Sequence, residues 1–326
     1  MKISNLLPSK LHGVIISKTS EKASEQTFSQ GSIAGIQIRR KINHLLRVDH
    51  QKKFRSERNV LLLSAILTSM KLSFLQLNIN ADNYWNLLTP FLAKNDFDII
   101  NLQETTGNGT ICGNVNSKRD VFDELTKLLN SRYNGEQAIA QRFASSPTAY
   151  MGNATFYKKS FTLHEKKIIT LVNNPTALPA DLTDFGITGR NLLHLTLNRE
   201  GKSFSVLNMH GAWAPKSTEH PHQTAQGKLL TNYLETVPAP FIFSGDLNLN
   251  PQQPLIHTLS SLARNLISEH TVDTTLNPRL HSAKVLFPPG VVVDYIFVSK
   301  DIEVNSFAVL EEDLSDHLAL TATLTV

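Results

Sequence analysis

The sequence predicts an α/β sandwich for residues 70–326, and three observations support this fold class. Short runs of β-branched and other apolar residues recur along the chain from Lys71 onward. Segments in which apolar residues repeat with helical spacing lie between these runs. The chain also lacks the glycine-rich nucleotide-binding fingerprint of a doubly wound fold. Strands that alternate with helices without that fingerprint favour an α/β sandwich.

Nine runs are predicted to form strands. Several of them are almost continuously apolar, which is typical of strands buried between two layers. The run from residue 193 to residue 197 instead alternates apolar and polar residues. The predicted strands are Leu72–Ile79, Ile99–Leu102, Ala154–Tyr157, Lys167–Val172, Leu192–Leu197, Ser203–Met209, Phe241–Phe243, Val291–Val298 and Leu318–Val326.

Three segments are predicted to form helices between these strands. Their apolar residues recur every three or four positions, as on one face of a helix. In the second segment this face consists of Val121, Leu125, Leu128 and Leu129. The predicted helices are Asn83–Leu92, Ser117–Leu129 and Gln223–Leu234.

Residues 1–69 differ in composition from the rest of the chain. They hold 12 Lys and Arg against 4 Asp and Glu, whereas residues 70–326 hold 20 against 24. Their poor apolar periodicity predicts a basic, disordered N-terminal extension. A targeting arm and a contact with an anionic surface or nucleic acid are the alternatives. Met70 immediately precedes the first predicted strand, which makes it a candidate for the true start of the protein.

Composition excludes several classes of protein. At 41% hydrophobic and 18% charged residues, the chain resembles an ordinary soluble globular protein. The apolar run at residues 60–70 has about half of the roughly 20 residues that a membrane-spanning helix needs, so we expect no membrane span. The single cysteine, Cys112, excludes an intrachain disulfide and a thiolate metal cage. It fits a reducing, cytoplasmic setting, and we expect a monomer.

Polar residues that can carry chemistry recur at the ends of predicted strands. Asn78 places an amide within an apolar strand, where the amide needs partners. Glu104 follows a buried strand and offers a carboxylate suited to Mg²⁺, with a helix or turn cap as the alternative. Asn208 and His210 are two residues apart on one strand, so their side chains share a face.

The segment from residue 241 to residue 248 is the most informative. An apolar strand breaks at Gly245 and is followed by Asp246 and Asn248. The carboxylate can orient or deprotonate a water molecule, and the amide can hold a phosphate oxygen. A simple turn after a strand would give the same residues.

Two further acidic residues lie near the C-terminus. Asp294 is placed within an apolar strand and therefore needs a partner. The pair Asp316 and His317 lies downstream. An imidazole bound to Asp294 would have its tautomer fixed and its charged form stabilised, which makes His317 a candidate partner.

Taken in chain order, these motifs resemble the endonuclease/exonuclease/phosphatase superfamily, whose members include deoxyribonuclease I. The resemblance covers residues 71–326. It implies a four-layer α/β/β/α sandwich of two packed mixed β-sheets with the active site at one edge. The motifs are Asn78, Gln103-Glu104, Asn208-x-His210, Gly245-Asp246-x-Asn248, Asp294-Tyr295 and Ser315-Asp316-His317.

The resemblance also implies a phosphate-ester substrate, Mg²⁺ with Mn²⁺ as the alternative, and a set of site residues. The implied metal ligands are Asn78, Glu104 and Asp316. The implied catalytic residues are His210, Asp246, Asn248, Asp294 and His317. Arg190 and Asn208 are the candidates for phosphate binding.

The implied mechanism assigns a role to each catalytic residue. Asp246, assisted by Asn248, would activate the attacking water. His317, oriented by Asp294, would contact a phosphate oxygen and stabilise the transition state. His210 would stabilise the phosphate or protonate the leaving group.

The segment Met209-His210-Gly211-Ala212-Trp213-Ala214-Pro215 bears on the branch of the family. It resembles the branch of deoxyribonuclease I, sphingomyelinases and several phosphatases more than that of exonuclease III. We therefore expect a phosphodiesterase or nuclease. The alternatives are a phosphatase, a sphingomyelinase-like lipid phosphodiesterase, and a non-catalytic binding module on the same fold. The acidic balance of residues 70–326 argues against tight non-specific binding to duplex DNA.

Overall fold

A computed structural model of the chain describes residues 69–112, 115–179, 187–214, 221–282 and 290–326. The chain divides into two units, Met1–Leu67 and Thr68–Val326, and all described residues belong to the second. The predicted basic extension therefore lies outside the described residues, as does most of the apolar run at 60–70. Within the described ranges, no helix is both long enough and apolar enough to span a membrane.

The described residues form fourteen strands and four helices. The strands are β1 Lys71–Asn78, β2 Ile99–Thr106, β3 Gly109–Cys112, β4 Val115–Ser117, β5 Tyr133–Arg142, β6 Tyr150–Lys158, β7 Thr162–Val172, β8 Arg190–Arg199, β9 Lys202–His210, β10 Phe241–Asp246, β11 Arg264–Asn265, β12 Asp294–Val298, β13 Glu303–Val309 and β14 Leu320–Thr325. The helices are α1 Trp85–Lys94, α2 Val121–Leu129, α3 Pro221–Leu234 and α4 Pro254–Leu262.

Two six-stranded sheets contain most of the strands. The first has the order β13-β14-β1-β2-β6-β5 and the second β11-β12-β10-β9-β8-β7, while β3 and β4 pair separately. Each large sheet has one parallel pair near its centre, β1 with β2 and β9 with β10, among antiparallel neighbours. The prediction of two mixed sheets is therefore confirmed.

The helices cover the outer faces of the sheets and complete four layers. Helices α1 and α2 pack their apolar residues, among them Leu88 and Leu125, on the outer face of the first sheet. Helices α3 and α4 contribute Leu230 and Ile256 to the cluster that includes the second sheet. The same cluster contains Phe74 of the first sheet. Apolar contacts thus join the sheets, and the predicted sandwich is confirmed.

Strand β1 shows how the space between the sheets becomes polar toward one edge. Leu75 and Leu77 face the helices. On the other face, Phe74 is followed at every second position by Gln76 and Asn78, and both amides are buried. Buried amides need hydrogen-bond partners, and here they find them across the sandwich. This polar end of the inter-sheet layer holds the candidate site.

One predicted helix begins later than expected. Helix α2 starts at Val121, because the side chain of Asp120 accepts a hydrogen bond from the Asp123 amide and caps the helix. Ser117 belongs to strand β4 instead. The buried face of the helix is also narrower than predicted, since Leu128 is 41% exposed.

Candidate active site

The carboxyl ends of the two parallel strand pairs meet at one edge of the sandwich. In register, Asn78 of β1 lies beside Gln103 of β2, and Asp246 of β10 lies beside His210 of β9. Asn78 joins the two sheets, since its Nδ2 donates to Glu104 Oε1 at 3.1 Å and to Asp246 Oδ2 at 2.9 Å. One amide therefore fixes two carboxylates that come from different sheets.

Glu104 is directed into the site by an irregularity of its strand. The register between β2 and β6 shifts between Leu102 and Thr105, and Glu104 has a φ of 57°. A bulge re-aims the side chain that it carries, and left-handed backbone at a non-glycine residue is uncommon outside functional sites. Burial, followed by the nearby charge of Asp316, raises the pKa of Glu104.

Asp246 is the most constrained carboxylate of the site. Its Oδ1 accepts a hydrogen bond from the Asn248 amide at 2.9 Å, while its Oδ2 accepts the one from Asn78. Glycine is required before it, because a Cβ at Gly245 would lie 2.0 Å from the carbonyl oxygen of Met209. Burial, followed by the charge of Asp294, raises the pKa of Asp246 to about 7.

Asn248 lies at the rim beside this carboxylate. Its backbone is left-handed, with a φ of 53°, and its Nδ2 donates to the Gly211 carbonyl at 3.2 Å. The side chain is only partly buried. The structure therefore places this amide at the mouth of the site, next to Asp246.

His317 and Asp294 form a buried pair. His317 Nδ1 lies 2.9 Å from Asp294 Oδ2, and Asp294 Oδ1 accepts a hydrogen bond from Gln76 Nε2 at 3.1 Å. Burial alone would lower the pKa of His317, but the charge and hydrogen bond of Asp294, with Asp246 and Asp316 nearby, raise it well above the ordinary value. The surroundings of His317 therefore favour its charged form.

His210 contrasts with His317 although it lies in the same cluster. Its Nε2 is 3.6 Å from Asp246 Oδ2 and 3.8 Å from Glu104 Oε1, which is beyond ordinary hydrogen-bond distance. Burial, followed by the positive charges of Arg190 and His317, lowers the pKa of His210 well below its usual value. The surroundings thus favour the neutral form of His210 and the charged form of His317.

Arg190, the first residue of β8, lies at this edge with 4% of its surface exposed. Its positive charge contributes to the lowered pKa of His210 and partly opposes the rise in the pKa of Glu104, so it acts on both groups. The structure therefore brings this sequence-predicted phosphate ligand into the cluster.

Asn208 has a different environment. It is fully buried, its Oδ1 accepts from Gln103 Nε2 at 2.7 Å, and its Nδ2 donates to the Ala154 and Leu102 carbonyls at 2.8 and 3.1 Å. These contacts link the two sheets below the site. The predicted phosphate contact of Asn208 finds no support in this arrangement, because the amide is directed into the sandwich.

Asp316 lies near Glu104 and has its own hydrogen-bond partners. Its Oδ2 accepts from Asn80 Nδ2 at 2.7 Å and its Oδ1 from Ser315 Oγ at 3.1 Å. Its charge is close enough to raise the pKa of Glu104. Two mutually repelling carboxylates with oxygen donors fit a divalent cation such as Mg²⁺. Asn78 fits this set less directly, because its Oδ1 accepts from the Asn80 amide at 3.1 Å.

Four residues at or beside the site were given no role by the sequence. Gln76 could have been found, because it lies two positions before Asn78 on the same strand face. Gln103 was part of a motif, but its role as a link from Gln76 to Asn208 depends on the packing of the sheets. Asn80 and His281 lie outside strands, and the sequence around them carries no signal of their proximity to the site.

The fold and this edge cluster define a class: two-sheet sandwiches that carry carboxylate, amide and imidazole side chains at one edge. The chain belongs to the endonuclease/exonuclease/phosphatase family, whose model matches residues 75–317. Members of this superfamily are generally hydrolases that act on phosphoesters and depend on a divalent metal. No curated protein matches the sequence.

Solved structures with the same fold include three of differing description. An endonuclease/exonuclease/phosphatase from Beutenbergia cavernae is 17% identical, with a TM-score of 0.62, over 78% of this chain and 72% of that one. The human Nocturnin catalytic domain with bound sulfate is 19% identical, with a TM-score of 0.57, over 78% and 94%. A Bacteroides thetaiotaomicron mannosyl-6-phosphatase is 17% identical, with a TM-score of 0.56, over 78% and 99%. At these identities the likeness shows the fold.

Proposed function

We propose that the protein is a Mg²⁺-dependent phosphodiesterase that hydrolyses phosphate esters, with nucleic acid as the first candidate substrate. One observation carries this proposal. The Oδ2 atom of Asp246 faces the Nε2 atoms of His210 and His317 at 3.6 and 3.8 Å. These separations leave the two imidazoles available to phosphate oxygens next to a carboxylate that can act on water.

Asp246 is suited to act as the general base. Its pKa of about 7 lets it accept a proton near neutral pH. Hydrogen bonds from Asn248 and Asn78 hold both carboxylate oxygens, so the group does not need to reorient during the reaction. The attacking water would transfer a proton to Asp246 while its oxygen forms the new bond to phosphorus.

Positive charge lies where negative charge on the phosphate would increase. His317 is an imidazolium held by Asp294, and Arg190 provides a second fixed charge near His210. Such preorganised donors stabilise a transition state more than a ground state. Mg²⁺ bound by Glu104 and Asp316 would neutralise charge on the phosphate.

The bond from phosphorus to the leaving oxygen breaks with its electron pair on that oxygen, which then takes up a proton. The buried neutral imidazole of His210 is a poor proton donor, because its pKa is lowered. We therefore assign His210 to phosphate contact and the final proton to solvent. Of the two roles that the sequence left open for His210, phosphate stabilisation is thus preferred to protonation of the leaving group.

A phosphatase is the second candidate function. The acidic balance of residues 70–326 disfavours tight non-specific binding to duplex DNA. One structure with the same fold is described as a mannosyl-6-phosphatase. A small phosphate monoester would use the same imidazoles and carboxylate, and a sphingomyelinase-like lipid phosphodiesterase would differ only in what surrounds them.

The test is a substrate panel on the full chain. The panel contains plasmid DNA, single-stranded DNA, RNA, sphingomyelin, inositol phosphates and a bis-aryl phosphodiester, each with Mg²⁺, with Mn²⁺ and with EDTA. We expect turnover of at least one diester with Mg²⁺ and none with EDTA. Asp301→Asn, a change at an exposed turn, serves as the control variant.

Three outcomes of the panel would contradict the proposal. Full activity in EDTA would remove the metal from the mechanism. No turnover of any substrate by a folded protein, with either metal, would favour the non-catalytic binding module. Turnover of the monoesters alone would replace the phosphodiesterase by the phosphatase.

A further inference from the structure

His281 is a second imidazole beside His317 that the proposed mechanism does not use. The two rings lie edge to face with their centroids 5.9 Å apart. One ligand atom each from His281, Asp316 and His317 lies within 4.8 Å of the other two. Two imidazoles and a carboxylate therefore converge at the outer side of the cluster.

The backbone holds this group together. The segment 276–281 is joined to Asp316 and His317 because Leu276 forms a β-bridge with His317 and the Asn277 amide donates to the Asp316 carbonyl at 2.7 Å. The His281 amide in turn donates to the Asn277 carbonyl at 2.9 Å. The approach of His281 to the pair is therefore built into the fold.

The ligand types select the class of metal. Mg²⁺ prefers oxygen donors and keeps several water molecules, whereas imidazole nitrogen suits Zn²⁺ and similar transition metals. Two His and one Asp with an open fourth position are typical of zinc sites that retain a solvent ligand. The trio shares Asp316 with the ligands predicted for Mg²⁺, but its two imidazoles favour a transition metal over Mg²⁺.

The surrounding contacts are those that orient metal ligands. A histidine that binds metal through one nitrogen usually bonds a carboxylate through the other, and ligating carboxylates are themselves hydrogen-bonded. His317 bonds Asp294 through Nδ1, so Nε2 becomes a metal ligand once the metal displaces its proton. Asp316 accepts a hydrogen bond from Asn80. Both ligands are therefore oriented without help from a metal.

The spacing requires a modest adjustment. With bonds of about 2.0–2.1 Å to zinc, tetrahedral ligand atoms lie about 3.4 Å apart. Since the ligand atoms lie within 4.8 Å of one another, each separation must shorten by about 1.4 Å at most. His281 is only half-buried, so a side-chain rotation can supply this movement while the buried pair stays in place.

We propose that His281, Asp316 and His317 form an inhibitory site for Zn²⁺ or a similar transition metal. A metal bound there would take Nε2 of His317 away from the phosphate and a carboxylate oxygen of Asp316 away from Mg²⁺. Binding to the trio is independent of the reaction catalysed, whereas the inhibition rests on the proposed function.

Binding is tested first, without substrate. Full-length protein without an affinity tag is titrated with Co²⁺, a spectroscopic substitute for Zn²⁺, in excess Mg²⁺. We expect visible absorption typical of four-coordinate Co²⁺, displaced by Zn²⁺. His281→Asn should weaken binding by about 10- to 100-fold or more, the range seen even for supporting residues of metal sites. His257→Asn, at an exposed position of α4, is the matched control and should bind as the wild type does.

Inhibition is tested second, on the substrate found by the panel. Zn²⁺ should inhibit the wild type and His257→Asn. His281→Asn should keep its Mg²⁺-dependent turnover, and its inhibition should need more Zn²⁺ by about the factor by which its Co²⁺ binding is weakened. Equal Co²⁺ binding and equal Zn²⁺ sensitivity in His281→Asn and the wild type would overturn the site. His281→Phe repeats the test without a side-chain ligand, and equal melting temperatures check its fold. If Co²⁺ binding depends on His281 but no substrate turns over, the proposed function fails and the site stands.

Discussion

The pair of Asp294 and His317 can be perturbed in a way whose result the structure constrains closely. In the wild type, Gln76 Nε2 donates a hydrogen bond to Asp294 Oδ1. In Asp294→Asn, the oxygen of the new amide must accept this hydrogen bond. The NH₂ arm then faces His317 Nδ1. That arrangement reverses the tautomer of the imidazole and removes its negative partner, so His317 can no longer be held as an imidazolium.

The size of the effect follows from the bond that is lost. A hydrogen bond to a charged group contributes about 1.5–3 kcal/mol, and about 1.36 kcal/mol corresponds to a factor of ten in rate. We therefore expect kcat/KM to fall by about 10- to 150-fold in Asp294→Asn. His317→Ala removes the phosphate contact itself and should cost about 100-fold or more.

The assay is a double-mutant cycle on the substrate identified by the panel. It compares kcat/KM of the wild type, His317→Ala, Asp294→Asn and the double variant, with Asp301→Asn as the control. Once the imidazole is absent, its partner has nothing to orient, so the double variant should match His317→Ala. Melting temperatures of all the variants separate loss of function from loss of fold.

A double variant that loses the product of the two single effects would show that the residues act independently. The role of Asp294 as the orienting partner of His317 would then have to be abandoned. A loss in Asp294→Asn that is explained by a lower melting temperature alone would have the same consequence.

Three further predictions concern the metal, pH and the domain boundary. Glu104→Gln should raise the Mg²⁺ concentration needed for half-maximal activity by about tenfold or more, and an unchanged Mg²⁺ titration would contradict its role as ligand. His194 is buried, and burial lowers its pKa to about 4 from 6.5, so its stabilising contribution is complete above about pH 6.5 and is lost as pH falls toward 4. As the pH falls over that range, the free energy of unfolding should decrease in both variants. The decrease should be smaller in His194→Gln than in the exposed control His164→Gln, by up to about 3 kcal/mol. Parallel curves of the free energy of unfolding against pH would refute this. A chain of residues 70–326 should fold and keep its turnover, because Met70 already forms backbone hydrogen bonds with Val326. A large drop in its melting temperature would show that residues before Met70 belong to the domain.

The central strands of both sheets were predictable because their side chains are buried on both faces. Strand β9 is buried from Phe204 to His210, and its bounds were predicted within one residue at each end. Strand β8 alternates in sequence, yet His194 on its polar face is also buried, under Tyr233 of α3. The alternation therefore reflected a satisfied polar group and not contact with solvent.

The missed strands lie mainly at sheet edges. Strands β5 and β13 are the outer strands of the first sheet, and β13 has no buried residue in its burial pattern. An edge strand packs against only one neighbour, so its sequence needs little apolar patterning. Helix α4 was missed for a related reason: it is short and buries only Ile256 and Leu259.

The site was predictable where chemistry coincides with a strand end. Glu104 and Asp246 lie toward the carboxyl ends of β2 and β10, and the structure brings them within reach of one amide, Asn78. Roles that depend on packing between the sheets could not be read from the sequence. Asn208 was expected at the phosphate, but its contacts are fixed by the opposite sheet. His281 reaches the cluster through a loop whose path no local pattern indicates.

The most direct test of the account is the turnover of Asp246→Asn. This change keeps the shape of the side chain and removes the carboxylate that accepts the proton of the attacking water. With Mg²⁺ and a substrate from the panel, we predict that kcat falls by about 100-fold or more while the melting temperature stays near that of Asp301→Asn. A folded Asp246→Asn protein that retains the kcat of the wild type would contradict the central claim that this buried carboxylate activates water for attack at phosphorus.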